Sequence, residues 1–285
     1  IRRPPRSTLF PYTPLFRSPG LGEARPAHCR APAEVLTLEA PLPVLCRAIA
    51  AGAPVRIVAL GSSSTEGAGA SSSAHTYPAR LEAALRERFP GLDLAVTNRG
   101  KGGQLLTDMM ARLDTDALAG KPTLVILQTG VNDAIRNVDR ARFEADLVAG
   151  IERIRASGAD LILLDQQYYP KAATVVGYKD FLQVVRQVGA RYMVPVFRRY
   201  ELMAHLVNSA QYKVEDLLSA DLFHQNDTSY QCLGSTLADA LKASFAASQA
   251  LAAQGLQAAK PAPLKAELAG GRTGDTPAQL QPTTR

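Results

Sequence analysis

The sequence predicts an α/β fold in which helices cover both faces of a parallel β-sheet. Short apolar runs, rich in Val, Ile and Leu, alternate along the chain with longer stretches of helical periodicity. The runs are four to six residues long and almost purely apolar, as is typical of strands buried on both faces. Strands that alternate with helices imply right-handed crossovers and hence a parallel sheet.

The first half of the predicted domain contains two strands. Val55–Leu60 is a β-rich run that stops at Gly61. A helix is predicted over Tyr77–Phe89, because its apolar residues recur at helical spacing. Leu92–Val96 is predicted as the second strand, and a glycine-rich loop and a helical segment near Thr107–Leu118 follow it.

The second half repeats the pattern. Leu124–Leu127 and Leu161–Leu164 are predicted as buried strands. Arg140–Ser157 is predicted as a helix, because its large apolar residues fall on one face. The remaining predicted elements are a helix at Val175–Val188, a short strand at Met193–Phe197 and a closing helix at Asp227–Leu251.

We expect one domain over residues 55–257, preceded by a short segment at residues 31–54. Ile1–Ser18 is rich in Arg and Pro, has no periodicity, and resembles translated sequencing-adapter read-through. Residues 1–30 are therefore interpreted as an artefact or disordered segment and set aside. Pro, Gly, Thr and Gln dominate residues 258–285, which predicts a disordered tail.

The formal net charge of +6 comes from the two ends of the chain. Residues 1–30 hold six Arg and one Glu, and residues 258–285 hold four basic and two acidic residues. Residues 31–257 carry 22 basic and 23 acidic residues, so we expect no nucleic-acid partner. No apolar run approaches the roughly 18 to 20 residues that span a bilayer, so no transmembrane segment is expected.

The three cysteines are Cys29, Cys46 and Cys232. None belongs to a C-x-x-C pair, and no His/Asp/Glu cluster has ligand spacing, so neither a metal site nor a cofactor is expected. Cys29 and Cys46 flank a short segment, and a bond between them would indicate an oxidising compartment. The sequence leaves open whether they are bonded or are two unrelated small apolar residues.

In parallel α/β sheets, ligands bind beyond the carboxyl ends of the strands, so the loop after the first strand is a candidate site. It reads Gly61-Ser-Ser-Ser-Thr-Glu-Gly67, and a serine on such a turn lies near backbone N–H groups that can meet an oxyanion. A polar loop that caps the next helix is the simpler alternative. A phosphate cradle is disfavoured, because the loop has neither G-x-G-x-x-G nor a P-loop lysine.

Two further loops offer hydrogen-bond donors. Asn98-Arg-Gly-Lys-Gly-Gly103 has three glycines in four positions, which lets the backbone approach a ligand closely, although it is also compatible with an ordinary loop. After the third strand, Asn132 offers a side-chain amide at the mouth of the sheet. The alternative role for Asn132 is a turn or helix N-cap.

The loop before the last helix contains Asp221 and, three residues later, His224. An aspartate at this spacing can accept the Nδ1 proton of the imidazole and leave Nε2 free as a base. His75 and His205 lack this context and are interpreted as structural or solvated, while His28 belongs to the segment that was set aside.

Taken together, these four loops resemble those of the SGNH hydrolases, also called GDSL lipases and esterases. The resemblance spans about Arg56 to Ala250 and implies a flavodoxin-like, three-layer α/β/α sandwich with a five-stranded parallel sheet. It implies a catalytic triad of Ser63, Asp221 and His224. The implied oxyanion hole consists of the backbone N–H groups of Ser63 and Gly103 and the side-chain amide of Asn132.

The chain departs from the family pattern at one position. The first block of the family usually reads Gly-Asp-Ser, whereas Ser62 stands here in the place of the aspartate. Because Ser62, Ser63 and Ser64 are consecutive, the motif alone leaves the nucleophile ambiguous. Their positions relative to Gly61 and Thr65 select Ser63.

The resemblance implies hydrolysis of carboxylic esters through an acyl-enzyme on Ser63. Short-chain acyl or O-acetyl groups are expected, because no long apolar lid insertion is evident between the four loops. The alternatives are an acyltransferase, a carbohydrate O-acetyl esterase acting on envelope glycans, and a non-catalytic member that binds glycan or protein. The expected partner is a small-molecule or glycan ester. The expected location is periplasmic or secreted, and the alternative is cytoplasmic. The sequence does not indicate an oligomeric state.

Overall fold

The structure is a computed structural model that describes residues 29–255, and its centre is a five-stranded, all-parallel sheet. The strands lie in the order β2-β1-β3-β4-β5, which is the flavodoxin-like order. The strands are β1 (Val55–Gly61), β2 (Leu94–Gly100), β3 (Leu124–Gln128), β4 (Asp160–Leu164) and β5 (Val196–Phe197).

Helices cover both faces of this sheet. Among residues 29–255, the α-helices are α1 (Ala33–Leu36), α2 (Pro43–Ala50), α3 (Ser63–Glu66), α4 (Tyr77–Arg88), α5 (Leu106–Ala111), α6 (Val131–Ile135), α7 (Arg140–Ala156), α8 (Tyr178–Arg191), α9 (Arg199–Asn208) and α10 (Asp227–Ala253). Leu113–Leu118 forms a π-helix, and short 3₁₀ helices occur at Ser73–His75, Pro170–Thr174 and Val214–Asp216.

The core has two parts, one on each face of the sheet. Along β1, the side chains of Val58 and Leu60 join one cluster, whereas those of Ile57 and Ala59 join the other, because successive residues of a strand point to opposite faces. The first cluster includes residues of α5, α7 and α8, and the second includes residues of α2, α4 and α10. The predicted three-layer α/β/α sandwich is thereby confirmed.

Most predicted elements are present, with shifted ends. Strand β2 was expected to stop at Val96 but continues through Gly100, because it stays in register with β1 along its whole length. It lies at the edge of the sheet, where Asn98 and Arg99 are exposed and polar side chains are tolerated. The single helical segment expected near Thr107–Leu118 is divided between α5 and the π-helix.

Residues 31–54, expected to precede the domain, pack against it. Leu42 and Leu45 are buried in the second core cluster. The carboxylate of Asp160, the first residue of β4, accepts the backbone N–H of Leu45 at 2.8 Å. This N–H is one of those that the first turn of α2 leaves without a partner inside the helix. Asp160 therefore caps α2 from the sheet.

The sequence leaves open whether Cys29 and Cys46 are bonded to each other, and the structure shows that they are not. Cys29 is bonded instead to Cys232 of α10, across 203 positions of sequence. Cys46 is a free, buried thiol on α2. The tertiary packing, which brings the chain near residue 29 against α10, decides the pairing.

The segment predicted as an artefact or disordered, residues 1–30, and the predicted tail, residues 258–285, lie outside the described residues, except for residues 29 and 30. His28 lies outside them as well. Within residues 29–255, no helix is both long enough and apolar enough to cross a membrane.

Candidate active site

The candidate site lies at the carboxyl end of the sheet, where β1 is paired with both β2 and β3. In sheets of this order, ligands bind in the crevice that opens at the topological switch point, between the loops after β1 and β3. Ser63 is the first residue of α3, directly after β1, and Asn132 lies on α6, directly after β3. The sequence-predicted site residues therefore come from loops that meet at one edge.

Three predicted residues form a continuous hydrogen-bonded row. The Nε2 atom of His224 lies 2.9 Å from the Ser63 hydroxyl oxygen. The Nδ1 atom of the same ring lies 2.6 Å from the Asp221 carboxylate. This is the geometry in which a carboxylate orients an imidazole and the imidazole accepts a proton from a serine.

Asp221 is held as an anion by its own loop. Partial burial alone would raise its pKa, but hydrogen bonds from the Ser219 hydroxyl, the His224 ring and the Phe223 and His224 backbone hold that pKa well below its ordinary value. The carboxylate oxygen that faces away from the imidazole accepts the Ser219 hydroxyl at 2.7 Å. Asp221 is therefore fixed in position and charged when the imidazole needs a partner.

The three consecutive serines have different surroundings. Ser62 is buried, and its hydroxyl donates to the side-chain oxygen of Gln128 at 3.0 Å. Ser64 is also buried, and its hydroxyl donates to Gln167 at 2.9 Å. Of the three, Ser63 is the one that contacts His224 and is partly exposed.

The predicted oxyanion donors lie on three separate loops. Ser63 occupies the first position of α3, where the backbone N–H has no partner inside the helix. Gly103 has a φ of +72°, a left-handed conformation that glycine adopts without strain. The Asn132 side-chain nitrogen donates to the Gln104 carbonyl at 2.8 Å, so one of its two N–H groups is used to anchor it and the other is left for a ligand.

The loops approach one another so closely that one glycine is indispensable. A Cβ atom at Gly100 would overlap the backbone nitrogen of Glu66, three residues after Ser63. A side chain at this position would push β2 away from α3. The glycine-rich run thus brings the Gly103 loop up to the serine loop.

His75 forms a separate polar cluster. The Ser71 hydroxyl lies 2.5 Å from both the His75 Nδ1 atom and the Asp227 carboxylate. Because Ser71 donates its proton directly to a carboxylate, the imidazole is not placed as its base. Among the described residues, no group of three or more His, Cys, Asp or Glu side chains is arranged to hold a metal ion.

The Non-GDSL lipase-like family model matches residues 28–247, most of the chain. The chain belongs to this family. The resemblance to the SGNH and GDSL hydrolases is thereby confirmed, and this Non-GDSL lipase-like protein carries the changed first block that distinguishes it from the Gly-Asp-Ser pattern.

Two curated relatives match parts of this family member. Esterase TesA of Pseudomonas aeruginosa is 32% identical over 80 residues, which cover 28% of this chain and 40% of that protein. An acetylxylan esterase of Geobacillus stearothermophilus is 35% identical over 63 residues, covering 22% of this chain and 29% of that protein. The matched segments thus span less than half the length of either relative.

Among solved structures, a two-domain esterase active on acetylated mannans has the same fold as this Non-GDSL lipase-like protein. The TM-score is 0.61 at 19% sequence identity, with 73% of this chain and 55% of that chain covered.

Sequence reasoning missed the residues that support the site from within the fold. Gln128 accepts from Ser62 and Thr65, and Arg112 donates to Gly61 and Gln104. The position of Gln128 at the end of a strand that leads to a predicted site loop could have indicated its role. No sequence feature near Arg112 indicates a role for that residue.

Proposed function

We propose that this protein is a serine hydrolase that cleaves carboxylic esters through an acyl-enzyme on Ser63. The observation that carries the proposal is the 2.9 Å contact between the Ser63 hydroxyl and His224 Nε2, with Asp221 at the other ring nitrogen. A serine, an imidazole and a carboxylate in this order make a nucleophile that is activated by a general base.

In the first half of the reaction, the Ser63 oxygen attacks the ester carbonyl carbon while His224 takes the hydroxyl proton. The C–O bond to the alcohol then breaks, His224 returns the proton to the leaving alkoxide, and the acyl group remains on Ser63. In the second half, His224 takes a proton from water as the water oxygen attacks the acyl carbon. The acid is released, and the Ser63 oxygen recovers the proton.

The negative charge of both tetrahedral intermediates is placed among the N–H groups of Ser63, Gly103 and Asn132. Fixed donors of this kind stabilise the developing oxyanion without reorganisation during the reaction. Loss of one such donor costs roughly 100- to 1,000-fold in turnover in comparable hydrolases.

The test is hydrolysis of p-nitrophenyl acetate and butyrate by the purified chain and three serine variants. We expect Ser63→Ala to abolish activity, while Ser62→Ala and Ser64→Ala, whose hydroxyls bind Gln128 and Gln167, retain it in the folded protein. A fluorophosphonate probe should label Ser63, as located by peptide mass spectrometry. Near wild-type rates in Ser63→Ala, or an active enzyme labelled elsewhere, would contradict the proposal.

For the substrate, we propose short-chain or O-acetyl esters, including those on carbohydrates. Two similarities support this choice, to an acetylxylan esterase and to an esterase active on acetylated mannans. A partly exposed aromatic ring also lies beside the proposed base, with 4.7 Å between the Phe223 and His224 ring centroids. Aromatic faces commonly line small-molecule sites.

The acyl preference is tested by comparing kcat/KM for p-nitrophenyl acetate, butyrate and palmitate and by measuring acetate release from acetylated xylo- and manno-oligosaccharides. We expect the acetyl esters to be preferred over the palmitoyl ester. Transfer of acetyl groups to added sugar acceptors, in place of free acetate, would show an acyltransferase instead.

The compartment is proposed as periplasmic or extracellular. The Cys29–Cys232 bond supports this assignment, because structural disulfides form and persist in oxidising compartments. Fractionation of cells that express the natural full-length gene product, with detection of the chain, tests it. Recovery of the chain in the cytoplasmic fraction alone would contradict it.

A further inference from the structure

Arg112 lies nearly buried at the end of α5 and uses its guanidinium group as a branched connector. One terminal nitrogen donates to the Gly61 carbonyl at 3.0 Å. The other terminal nitrogen donates to the Arg99 carbonyl at 2.9 Å and to Asp116 at 3.0 Å. The Nε atom donates to the Gln104 side-chain oxygen at 2.7 Å.

Two of these partners end adjacent strands that lead into the site. Gly61 is the last residue of β1 and stands two positions before Ser63. Arg99 is the penultimate residue of β2 and pairs with Leu60. The guanidinium therefore joins the carboxyl ends of β1 and β2 at the point where the serine loop and the glycine loop begin.

The third partner, Gln104, connects Arg112 to the other two predicted oxyanion donors, Gly103 and Asn132. Gln104 follows Gly103 directly, so the bond from Arg112 to its side chain holds the glycine loop. The Gln104 carbonyl in turn accepts the side-chain amide of Asn132. A single chain of hydrogen bonds thus runs from Gly61 through Arg112 and Gln104 to Asn132.

The geometry of arginine suits this task. A guanidinium presents five N–H donors in one rigid plane, whereas a lysine ammonium is a single point with three donors. No lysine nitrogen can occupy at once the positions that meet Gly61, Arg99 and Gln104. The charge of Arg112 is itself paired with Asp116, which also binds Lys101, so position is the main contribution that Arg112 can make.

We propose that Arg112 is the positioning residue of the oxyanion hole, holding the loops of Ser63, Gly103 and Asn132 at their mutual distances. The proposal rests on the proposed function, because it needs an oxyanion to be stabilised. Oxyanion donors act only where they meet the developing charge, and a displacement of about 1 Å in a catalytic constellation can cost about 100-fold in rate.

The test compares Arg112→Lys, Arg112→Met and Arg112→Ala with a matched control, Arg153→Met. Arg153 also donates to a carbonyl and a carboxylate nearby, those of Met110 and Asp114, but does not contact the three loops. Rates on p-nitrophenyl acetate are expressed per active site, counted by fluorophosphonate labelling taken to completion, and thermal unfolding is followed for each variant.

We expect kcat to fall about 10- to 100-fold in all three Arg112 variants, with KM changed less than threefold and the control unchanged. Added guanidinium or ethylguanidinium ion should partly restore kcat in Arg112→Ala but not in Arg112→Lys. Unchanged kcat per labelled site would overturn the proposal, even if the variants unfold at lower temperature. An inactive wild-type chain would instead refute the proposed function.

If the Arg112 variants do not fold, Gln104→Met decides the question. It removes the side-chain acceptor of Arg112 and retains the backbone carbonyl that binds Asn132. We expect kcat to fall about tenfold with little change in KM, in line with loss of one anchoring contact. A folded Gln104→Met protein with wild-type kcat would overturn the proposal.

Discussion

The side-chain oxygen of Gln128 accepts both the backbone N–H and the hydroxyl of Ser62, each at 3.0 Å. The same oxygen accepts the Thr65 hydroxyl at 3.2 Å. The residue before Ser63 and the second residue after it are thus fastened to the end of β3. The backbone N–H also fixes the orientation of the amide, because the NH₂ group of Gln128 cannot face another donor.

Replacing Gln128 with Leu is expected to loosen the serine turn. The change leaves the buried donors of Ser62 and Thr65 without their acceptor, at a cost of about 1–3 kcal/mol for each group that finds no other partner. Urea unfolding should show the loss, and kcat on p-nitrophenyl acetate should fall with it. Thr65→Val removes one hydroxyl donor and leaves no unpaired donor behind. It should therefore lower the stability in urea and kcat less than Gln128→Leu does. Equal losses of stability and kcat in Gln128→Leu and Thr65→Val would contradict the role of Gln128 as the shared acceptor of the serine turn.

Ser62→Asp, which restores the Gly-Asp-Ser motif that is usual in the family, is expected to inactivate the protein. The aspartate carboxylate would face the Gln128 oxygen and has no proton to donate to it. Ser62→Ala loses one hydrogen bond, about 1 kcal/mol, and should retain kcat within a few-fold. Steady-state kinetics and thermal unfolding of both variants provide the test, and a fully active Ser62→Asp protein would contradict it.

Asp221→Asn should lower kcat by about 10,000-fold while the protein stays folded, because an amide cannot hold the imidazole in the productive tautomer. In the wild-type chain the depressed pKa keeps Asp221 ionised. The stability from its contacts is therefore present above its ordinary pKa and is lost only as the pH falls toward the depressed value. Kinetics between pH 5 and 9 check the rate, and Ser219→Ala, which leaves the carboxylate in place, serves as the milder control.

Asp160 should make the protein less stable as the pH rises. Burial raises the pKa of this carboxyl to about 6, against hydrogen bonds from Leu45 and Val44 and the charges of Arg47 and Arg155. A raised pKa gives stability that is complete below about pH 4 and lost as the pH rises through 6, on the order of 3 kcal/mol in total.

Asp160→Asn keeps an oxygen for the Leu45 N–H but does not ionise, so its stability should lack this pH-dependent decrease. Urea unfolding at pH 4.5 and 7.5 provides the measurement, and the variant should exceed wild type at pH 7.5. Asp93→Asn, at an exposed ion pair with Arg56, should retain the wild-type difference between the two pH values. The same difference in Asp160→Asn would contradict the assignment.

Peptide mapping without reduction should find Cys29 linked to Cys232, and Cys46 as a free thiol. Closing a loop this long constrains the unfolded chain by about 5 kcal/mol at most. Cys29→Ser should therefore lower the unfolding temperature. In Cys46→Ser, the difference between the unfolding temperatures under oxidising and reducing conditions should be the same as in the wild type. A Cys29–Cys46 peptide would contradict the structure.

The sequence predicts that the candidate site residues lie near one another, because parallel α/β folds bring the carboxyl ends of all strands to one edge. Ser63, Gly103, Asn132 and the Asp221–His224 pair each follow a short apolar run or precede the last helix, so their convergence follows from topology. The three-residue spacing of Asp221 and His224 placed both side chains in one turn, which the structure confirms as a hydrogen bond.

The supporting contacts could not be predicted, because they join residues that are distant in sequence. Arg112 lies 51 positions from Gly61, and Gln128 lies 66 positions from Ser62. Cys29 and Cys232 are brought together by the packing of the chain against α10 and not by their spacing. Strand β2 was predicted too short, because its polar end is stabilised by pairing with β1 and not by apolar content.

The Cys29–Cys232 bond turns most of the described chain into one covalent ring that contains Ser63, Asp221 and His224 together. A protease that cuts once inside the ring, for example beside the exposed Val176 between β4 and α8, leaves the two fragments attached. Such a nicked molecule keeps Ser63 and His224 in one covalently linked molecule until the disulfide is reduced. The disulfide therefore keeps the residues of the candidate site covalently connected after one cleavage of the backbone.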